Sequence, residues 1–366
     1  MVLSASPQSK GWFHVPRSVI GLDIGSTHVR AAEVEFGGGG PARTPSPQVV
    51  RFGEAPLPHG AVRDGEVAEA STVATAIRQL WAQAKFSHKD VVLGIGNQRV
   101  IVRDLQLPMM PPAQIRSSLP FQVADMLPVA VEDAVLDFVA TSTAHGETGP
   151  VLNGLLVAAT KDTVHANTEV VEAAGLRPMM VDLGAFALTR VMTRGDLAQR
   201  TVALVDIGAR VTTVVIAAQG QPKLVRMLPS GGHDVTESVA GALQIPLGEA
   251  ENAKRHIGVG FAHSPELQPA VQAIQTVTAA LVEAVRNMFV YYASTTPAST
   301  PEMIVLTGGA SQLPGLGQYL SSACRLPVTL GQPFTGMKLS SHVSASTVDH
   351  QHALAVPLGL AFGVAA

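Results

Sequence analysis

The 366-residue chain contains a single cysteine, Cys324, which can neither close an intramolecular disulfide nor furnish a cysteine-rich zinc site. Charge is scarce as well. Only 14% of residues are Asp, Glu, Lys or Arg, and 25 basic against 28 acidic side chains leave a net charge of −3. No run holds more than two adjacent basic residues, Lys254-Arg255 being one such pair. A nucleic-acid partner is excluded on that ground, because phosphate-dominated affinity needs a basic face. No apolar run reaches the roughly 20 residues of a membrane span; the stretch Ala353 to Ala366 is apolar but short and is broken by Pro357. Met1 to Ile20 lacks the apolar core of a secretion signal, so a cytosolic protein is expected. The Gly-Lys dipeptide of a Walker loop is missing, as are zinc-protease spacing and a Gly-x-Ser-x-Gly elbow. What the chain does have is apolar side chains, 46% of the total, which argue for large cores and against disorder. Its length fits two domains.

An internal near-repeat organises the chain. Leu22-Asp23-Ile24-Gly25-Ser26-Thr27 returns as Val205-Asp206-Ile207-Gly208-Ala209-Arg210, an offset of 183 residues (206 − 23). Each copy follows an apolar run, Val19 to Ile24 and Val202 to Ile207, as a buried strand would. Each continues into a second strand, with Ala32, Val34 and Phe36 alternating with Glu33 and Glu35 in the first copy and a β-branched run from Val211 to Ile216 in the second. A third extended segment closes each unit, Gln48 to Phe52 after a Gly- and Pro-rich loop at 37–48, and Lys223 to Leu228. The rest alternates. Helices are expected over Ser71–Lys85, over Pro111–Ala124 with Pro120 kinking or ending it, and along the apolar stripe Ile274 to Tyr292. Short strands are expected at Val91–Ile95, Val135–Ala140, Leu155–Ala159 and Met303–Leu306, and loops at Ser294–Pro301 and Gly331–Ser346. The pattern is α/β, with mixed sheets in two similar lobes.

The chemistry lies at the turns. Glycine lets the chain reverse tightly and brings backbone N–H groups to an anion without an intervening Cβ. Gly25-Ser26-Thr27 offers amides and two hydroxyls, and Gly208-Ala209 with Thr212 offers a similar set. Facing each other across a cleft, two such turns could hold a polyphosphate from both sides. Asp23 and Asp206 would repel phosphate but could hold Mg²⁺ through waters. Gly308-Gly309, just past a strand, could admit a flat adenine. Asp349, His350 and His352 read as a polar loop rather than a metal site, and Cys324 as buried filler.

At these residues the chain resembles the actin-like ATPase superfamily, and within it the PilM family of type IV pilus assembly proteins, relatives of the division protein FtsA. Asp23 to Arg30 is similar to the first phosphate motif, Val205 to Thr212 to the second, and Leu306 to Ser311 to the adenosine motif. Leu119–Phe138, Met179–Arg190, Glu249–Arg255 and Leu326–Phe334 carry further likeness, so that the resemblance spans Val19 to Gly363. It implies an actin-like fold (a duplicated, RNase H-like core) with two lobes, an inserted small subdomain and an interlobe nucleotide cleft. The implied organisation is 17–98 and 162–200 for the first lobe, 99–161 for the insertion, and 201–366 for the second lobe with a helical subdomain about 231–300. By position, the resemblance places Gly25, Ser26, Thr27, His28 and Arg30 near the β- and γ-phosphates of ATP, and Gly208, Ala209 and Thr212 on the opposite phosphate face. Gly231 and Gly232 would lie beside the sugar, Glu251 and Lys254 would reach the ribose and adenine, and Gly308, Gly309 and Ala310 would lie beneath the base. Read without the resemblance, Glu251 and Lys254 are a solvated i, i+3 ion pair.

Two departures shape the expected activity. His28 and Arg30 stand where the family often has Ser and Lys; arginine keeps the charge and can grip phosphate bidentately. Gly184 stands where hydrolysing members commonly carry an acid or amide that orients the attacking water, and Asp182 is the nearest carboxylate, so slow or absent turnover is expected. The resemblance further implies a cytoplasmic protein, held at the inner face of the membrane by the N-terminal peptide of a PilN-like inner-membrane protein and joined by other pilus components. The insertion and its neighbouring lobe would form the peptide groove, with Met109-Met110-Pro111-Pro112 and Phe121 as candidate lining and Met there also readable as core. Self-association is compatible with this. Two other readings stand beside it: a filament-forming relative of actin or FtsA, and a small-molecule kinase of the same fold.

Overall fold

Apolar runs next to tight turns build the same sheet twice. The computed structural model describes residues 18–37, 44, 46–147, 149–261, 264–296, 299–343 and 345–363. The sequence readings at 1–17, most of the loop at 37–48 and the last residues of the apolar C-terminal stretch lie outside them. Strands β1 (Ser18–Ile24), β2 (His28–Glu35) and β3 (Gln48–Pro56) form the first meander. A ribbon of β4 (Val62–Arg63) and β5 (Glu66–Val67) and helix α1 (Ala70–Ala84) lead to β6 (Asp90–Ile95). The chain then makes β7 (Ile101–Pro108), α2 (Pro112–Val123), β8 (Ala134–Gly146) and β9 (Gly149–Thr160). It re-enters the first lobe through α3 (Lys161–Ala173), β10 (Arg177–Leu183) and α4 (Gly184–Met192).

The second meander is β11 (Thr201–Ile207), β12 (Thr212–Ala218) and β13 (Gln221–Leu228). Helices α5 (Gly232–Leu243), α6 (Leu247–Ile257) and α7 (Gln268–Thr295) follow, then β14 (Met303–Thr307), α8 (Leu316–Cys324) and β15 (Val328–Leu330). The described chain ends with β16 (Lys338–Leu339), α9 (Ala345–Asp349) and α10 (Ala355–Ala361).

The sheets run β10-β6-β1-β2-β3-β16 and β13-β12-β11-β14-β15, with β7-β9-β8 as a separate three-stranded sheet. The two halves repeat in register. Asp23 sits opposite Arg30 and beside Gly94 of the parallel neighbour; Asp206 sits opposite Thr213 and beside Thr307. Helix α2 packs on the small sheet, burying Ile115, Leu119 and Val123 against Leu107 and Leu156 in a core of its own. The largest core joins both lobes: Leu22 and Leu93 share it with Val202, Leu204 and Val215, with Ala187 and Leu188 of α4 in the same cluster. This is the two-lobed, actin-like α/β architecture.

Four expectations change. The second lobe does not hold everything from 201 onward, because β16 pairs with β3 and α10 packs on β1, β2 and β6 of the first sheet. There Gly21 leaves room for the Pro357 carbonyl, and Gly359 lets α10 cross α4 against the Ala187 backbone. The β2 alternation fails at Glu33, which is buried because α1 and the 86–88 loop cover the face that the alternation assigns to solvent. Two short strands become one long hairpin, β8–β9. Pro120 lies within α2, which continues to Val123 before tightening into a 3-10 turn at Ala124–Met126.

Candidate functional site

Both Asp-x-Gly turns close by the same backbone bond. The Gly25 N–H donates to the His28 carbonyl at 3.0 Å, and the Gly208 N–H donates to the Val211 carbonyl at 3.0 Å. In each, the aspartate two residues earlier is the penultimate residue of an interior strand, β1 or β11, and is partly open to solvent. The two carboxylates share one electrostatic environment. Burial raises the Asp23 carboxyl, opposed by the positive charge of Arg30. Burial and then the negative charge of Asp23 push Asp206 up to about 7, again opposed by Arg30. Among the described residues, no hydrogen bond or ion pair at contact distance reaches either carboxylate. Two crowded, unpaired carboxylates are a donor set that suits a hard divalent cation, directly or through its waters.

The late glycines roof the second turn. Gly308 has φ of +88°, and a Cβ there would lie 2.6 Å from Asp206 Oδ1. Only glycine meets both demands. The Ala310 N–H donates to the Ile207 carbonyl at 3.0 Å, and the His352 carbonyl accepts from the Gly308 N–H at 3.0 Å and from Thr307 Oγ1 at 2.6 Å. Gly309 is exposed, with open space where a Cβ would point, as a floor for a planar ligand requires.

Helix α5 starts against the same turn. The Gly232 and His233 N–H groups donate to the Gly208 and Ala209 carbonyls at 2.9 and 2.8 Å. A Cβ on Gly231 would meet Ala209 O at 2.5 Å, and one on Gly232 would meet Ala310 Cβ at 2.6 Å. Arg210 Nη1 donates to Asp234 Oδ1 at 2.7 Å and to Glu237 Oε2 at 2.9 Å, and Nη2 donates to Glu237 Oε1. Asp234 also accepts from the Gly231 N–H at 2.7 Å, capping the helix.

Several residues hold the site rather than line it. Thr212 is fully buried, and its hydroxyl donates to the Ser230 carbonyl at 2.7 Å; it braces the loop before α5, a correction to its placement on the phosphate face. Lys254 is buried and donates to Gly232 O at 3.0 Å, Thr236 Oγ1 at 2.9 Å and Glu251 Oε2 at 2.6 Å. Against the opposing effect of burial, hydrogen bonds from Lys254, Thr236 and Arg255 hold Glu251 down at about 2. The pair is therefore a largely buried clamp between α5 and α6, not a solvated one. All three ammonium hydrogens have protein acceptors, so a ribose contact from Lys254 would require one of them to exchange.

On the first turn the groups are freer. Ser26 Oγ has no hydrogen-bond partner among the described residues. Thr27 Oγ1 lies 3.1 Å from His28 Nδ1, and Arg30 Nε donates to Glu54 Oε2 at 3.0 Å. His28 is pushed down by burial and by Arg30, with Arg255 of the second lobe adding to the effect, so the first turn feels charge from across the cleft. Asp182, the candidate water-orienting group, is buried; it is tied to Arg190 and accepts from the Leu183 N–H at 2.8 Å. Cys324 is partly buried and burial raises its thiol. Sequence reasoning missed the His352 carbonyl and the Arg210–Asp234–Glu237 brace, whose only sequence signal is the i, i+3 spacing of two acids at the start of α5.

A separate cavity of about 810 Å³ opens between the small subdomain and the first lobe. Ile115, Arg116 and Leu119 of α2 and Val135 to Phe138 of β8 form one wall, and Lys161, Val164 and Thr168 of α3 with Val181 of β10 form the other. Of the lining expected, Pro112 is there, whereas Phe121 is 86% exposed elsewhere and Met110 packs into the subdomain core. Among the described residues, no helix is long and apolar enough to cross a membrane.

The family described as Type IV pilus assembly protein PilM matches residues 21–364. Cell division protein FtsA of Neisseria meningitidis serogroup B is 26% identical over 181 residues, 44% of this chain and 44% of that protein. FtsA of Bacillus subtilis is 28% identical over 110 residues, 30% of this chain and 25% of that one. The chain thus spans less than half the length of these curated relatives. Among solved structures, the PilM-PilN type IV pilus biogenesis complex superposes with a TM-score of 0.81 at 26% identity, covering 96% of this chain and 100% of that one. MreB 5 of Spiroplasma citri bound to AMPPNP gives 0.54 at 13% identity, with 94% of each chain covered.

Proposed function

The chain belongs to the PilM family of type IV pilus assembly proteins, and from that premise we propose that it is an ATP-binding actin-like scaffold which docks at the cytoplasmic face of the inner membrane by gripping the N-terminal peptide of a PilN-like protein. One observation carries the nucleotide half of this reading: two identically closed turns bring Asp23 and Asp206 into one field, beneath the Gly308 roof. Magnesium-ATP, when bound, would supply a polyphosphate for the donors of the two turns and a cation for Asp23 and Asp206 that favours their charged forms. The chain's own part is to hold. Ser26 and Thr27 with Arg30 present donors from one lobe, Ala209 presents its amide from the other, Gly25 and Gly208 close the turns that aim them, and Gly309 leaves space for the base. A ligand that touches both lobes favours the state in which they are close, which makes partner binding responsive to nucleotide. Slow turnover fits the engagement of Asp182 by Arg190 and the absence of a side chain at Gly184.

The partner half is supported by the cavity, whose walls belong to two packing units and combine apolar Ile115, Leu119 and Val164 with charges of both signs, Arg116 and Lys161 beside Asp137 and Glu172. A relative of 26% identity has been solved in a complex with PilN. One experiment reads both halves. Thermal unfolding of the full chain is followed with and without magnesium-ATP, and a synthetic peptide of the PilN-like N-terminus is titrated by fluorescence anisotropy. Gly308→Arg is expected to abolish the ATP-dependent shift, which otherwise grows with ligand concentration. Thr168→Trp, whose ring would project into the cavity from its α3 wall, is expected to weaken peptide capture strongly and leave that shift intact. An ATP shift that survives Gly308→Arg rejects the nucleotide site, and peptide capture unweakened by Thr168→Trp rejects the groove.

A further inference from the structure

One cluster spans the two lobes and supplies no proposed nucleotide contact, although Glu237 in it also braces Arg210 of the second turn. His59 lies in the loop after β3, held by a turn in which the Ala61 N–H donates to the Pro58 carbonyl at 3.1 Å. The same loop is fastened to the first phosphate turn, the Leu57 N–H donating to the Thr27 carbonyl at 2.8 Å. His233 and Glu237 lie one turn apart on α5 of the second lobe, facing that loop. The two imidazole rings are 5.2 Å apart between centroids and inclined by 34°. One ligand atom from each of His59, His233 and Glu237 falls within 4.8 Å of the other two.

We propose that His59, His233 and Glu237 form a binding site for a zinc-class divalent transition metal ion, which pins the lobes together beside the phosphate turns. Two imidazole nitrogens and a carboxylate oxygen are a donor set suited to zinc and its first-row neighbours rather than to magnesium or calcium. The buried Nε2 of His233 makes no hydrogen bond among the described residues, and Glu237 Oε1 lies 3.6 Å away. Buried polar nitrogens are seldom left unpaired, and a metal bond would satisfy this one. Burial and the positive charge of Arg210 favour the neutral ring, the form that ligates. Arg210 also holds Glu237, and its charge opposes a cation; Asp234 on the same guanidinium and the second lone pair on each Glu237 oxygen compensate. Zinc–nitrogen bonds are about 2.0 Å, so the ligand atoms must draw in slightly, within reach of an exposed His59 loop and a 40% exposed Glu237 side chain. Tightening at His233 passes directly to the second turn, because the His233 N–H donates to the Ala209 carbonyl at 2.8 Å. The ion would thereby set how far the cleft opens.

The test uses the full chain without an affinity tag, stripped by chelator and free of nucleotide, with zinc titrated in competition with a chromogenic chelator. One equivalent per chain is expected to bind in the micromolar range or tighter. His59→Ala and Glu237→Gln are each expected to weaken it by about tenfold or more, while His350→Ala, outside the trio, leaves it unchanged. His59 sits in an exposed loop, so its removal does not threaten folding. As a second readout, spin labels on the two lobes are expected to show a narrower distance distribution with zinc in the parent chain and no narrowing in His59→Ala. Equal zinc affinity in His59→Ala and the parent chain overturns the proposal, as does zinc binding that leaves the interlobe distances unchanged.

Discussion

The two lobes use one turn twice and brace it very differently. The second turn is fixed from three sides: α5 amides on the Gly208 and Ala209 carbonyls, Thr212 on the Ser230 carbonyl, and Arg210 on two acids of α5. Among the described residues the first turn has one outside backbone tether, Leu57 to Thr27, and its Arg30 pairs with a Glu54 side chain that is 47% exposed. The helix that follows each meander explains this. In the second lobe α5 begins directly after β13 and its free N-terminal amides meet the turn, whereas in the first lobe a loop and the β4–β5 ribbon intervene before α1. The second lobe is thus a preformed half-site, and the first is the half left to adjust. A site that must both bind and signal gains from that division, because the adjustable half can respond to the ligand that the rigid half holds.

The sheets differ again where helices press on them. At matching positions the first sheet has Gly21 and Gly94, which admit α10, while the second has fully buried Leu204 and Thr307. Exchanging the first of these residues gives the largest expected effect. Gly21→Leu would drive a side chain into the Pro357 backbone, where a rigid helix cannot yield, and is expected to cost on the order of 4 kcal/mol or more, seen as loss of soluble, cooperatively unfolding protein. Leu204→Ala should cost about 3 kcal/mol in urea denaturation, the ordinary penalty for a cavity in a core. If Gly21→Leu proves the milder of the two, α10 is not seated as tightly as this comparison requires.

The repeat and both meanders were legible in the sequence, since apolar runs, period-two alternation and Asp-x-Gly punctuation are local signals; that the two turns share a cleft is implied by the family resemblance alone. What escaped was set by contacts far along the chain. Lys338-Leu339 is too short to announce a strand, and nothing in Ala355–Ala361 names the sheet it covers, so the attachment of the C-terminal segment to the first sheet is not readable from local sequence. Glu33 read as solvent-facing because its cover, Ser87 and α1, arrives from elsewhere. The i, i+3 spacing of Glu251 and Lys254 was visible, but their burial depends on Thr236 and Gly232 of a different helix. His59 and His233 carry no shared spacing at all; only the fold brings them together.

Exchanging braces for ligand contacts tests the rigid and adjustable halves at an intermediate size. Arg210→Ala removes three hydrogen bonds between the second turn and α5 and is expected to destabilise the ligand-free chain by about 1–2 kcal/mol. Arg30→Ala breaks an ion pair with a mostly solvated partner and is expected to change ligand-free stability by less than about 1 kcal/mol. With magnesium-ATP the order should reverse: the thermal shift is lost in Arg30→Ala and reduced but present in Arg210→Ala. Equal ligand-free losses in the two variants would mean that the first turn is braced as firmly as the second.

The smallest effect is also the one whose sign is least intuitive. Asp206 has a folded-state pKa of about 7 against 3.8 for the free group, so its ionisation opposes folding. The penalty is absent below about pH 4, grows as the pH rises through the window between those two values, and is complete above about 7. Asp206→Asn keeps the shape and removes the charge. In the absence of nucleotide it should therefore be more stable than the parent chain at pH 8 and nearly equal to it at pH 4. Because Asp206 is partly open to solvent, the gain should be about 1 kcal/mol, a Tm increase of about 1–2 °C for a chain of this length. Magnesium-ATP should invert the ranking at pH 8, since a cation that makes the parent carboxylate favourable has nothing to gain from an amide. Asp23 should respond in the same direction but less, being further offset by Arg30 on the paired strand. A destabilised Asp206→Asn at pH 8 without nucleotide would place Asp206 among the braces and leave the charge pair without a role in ligand binding.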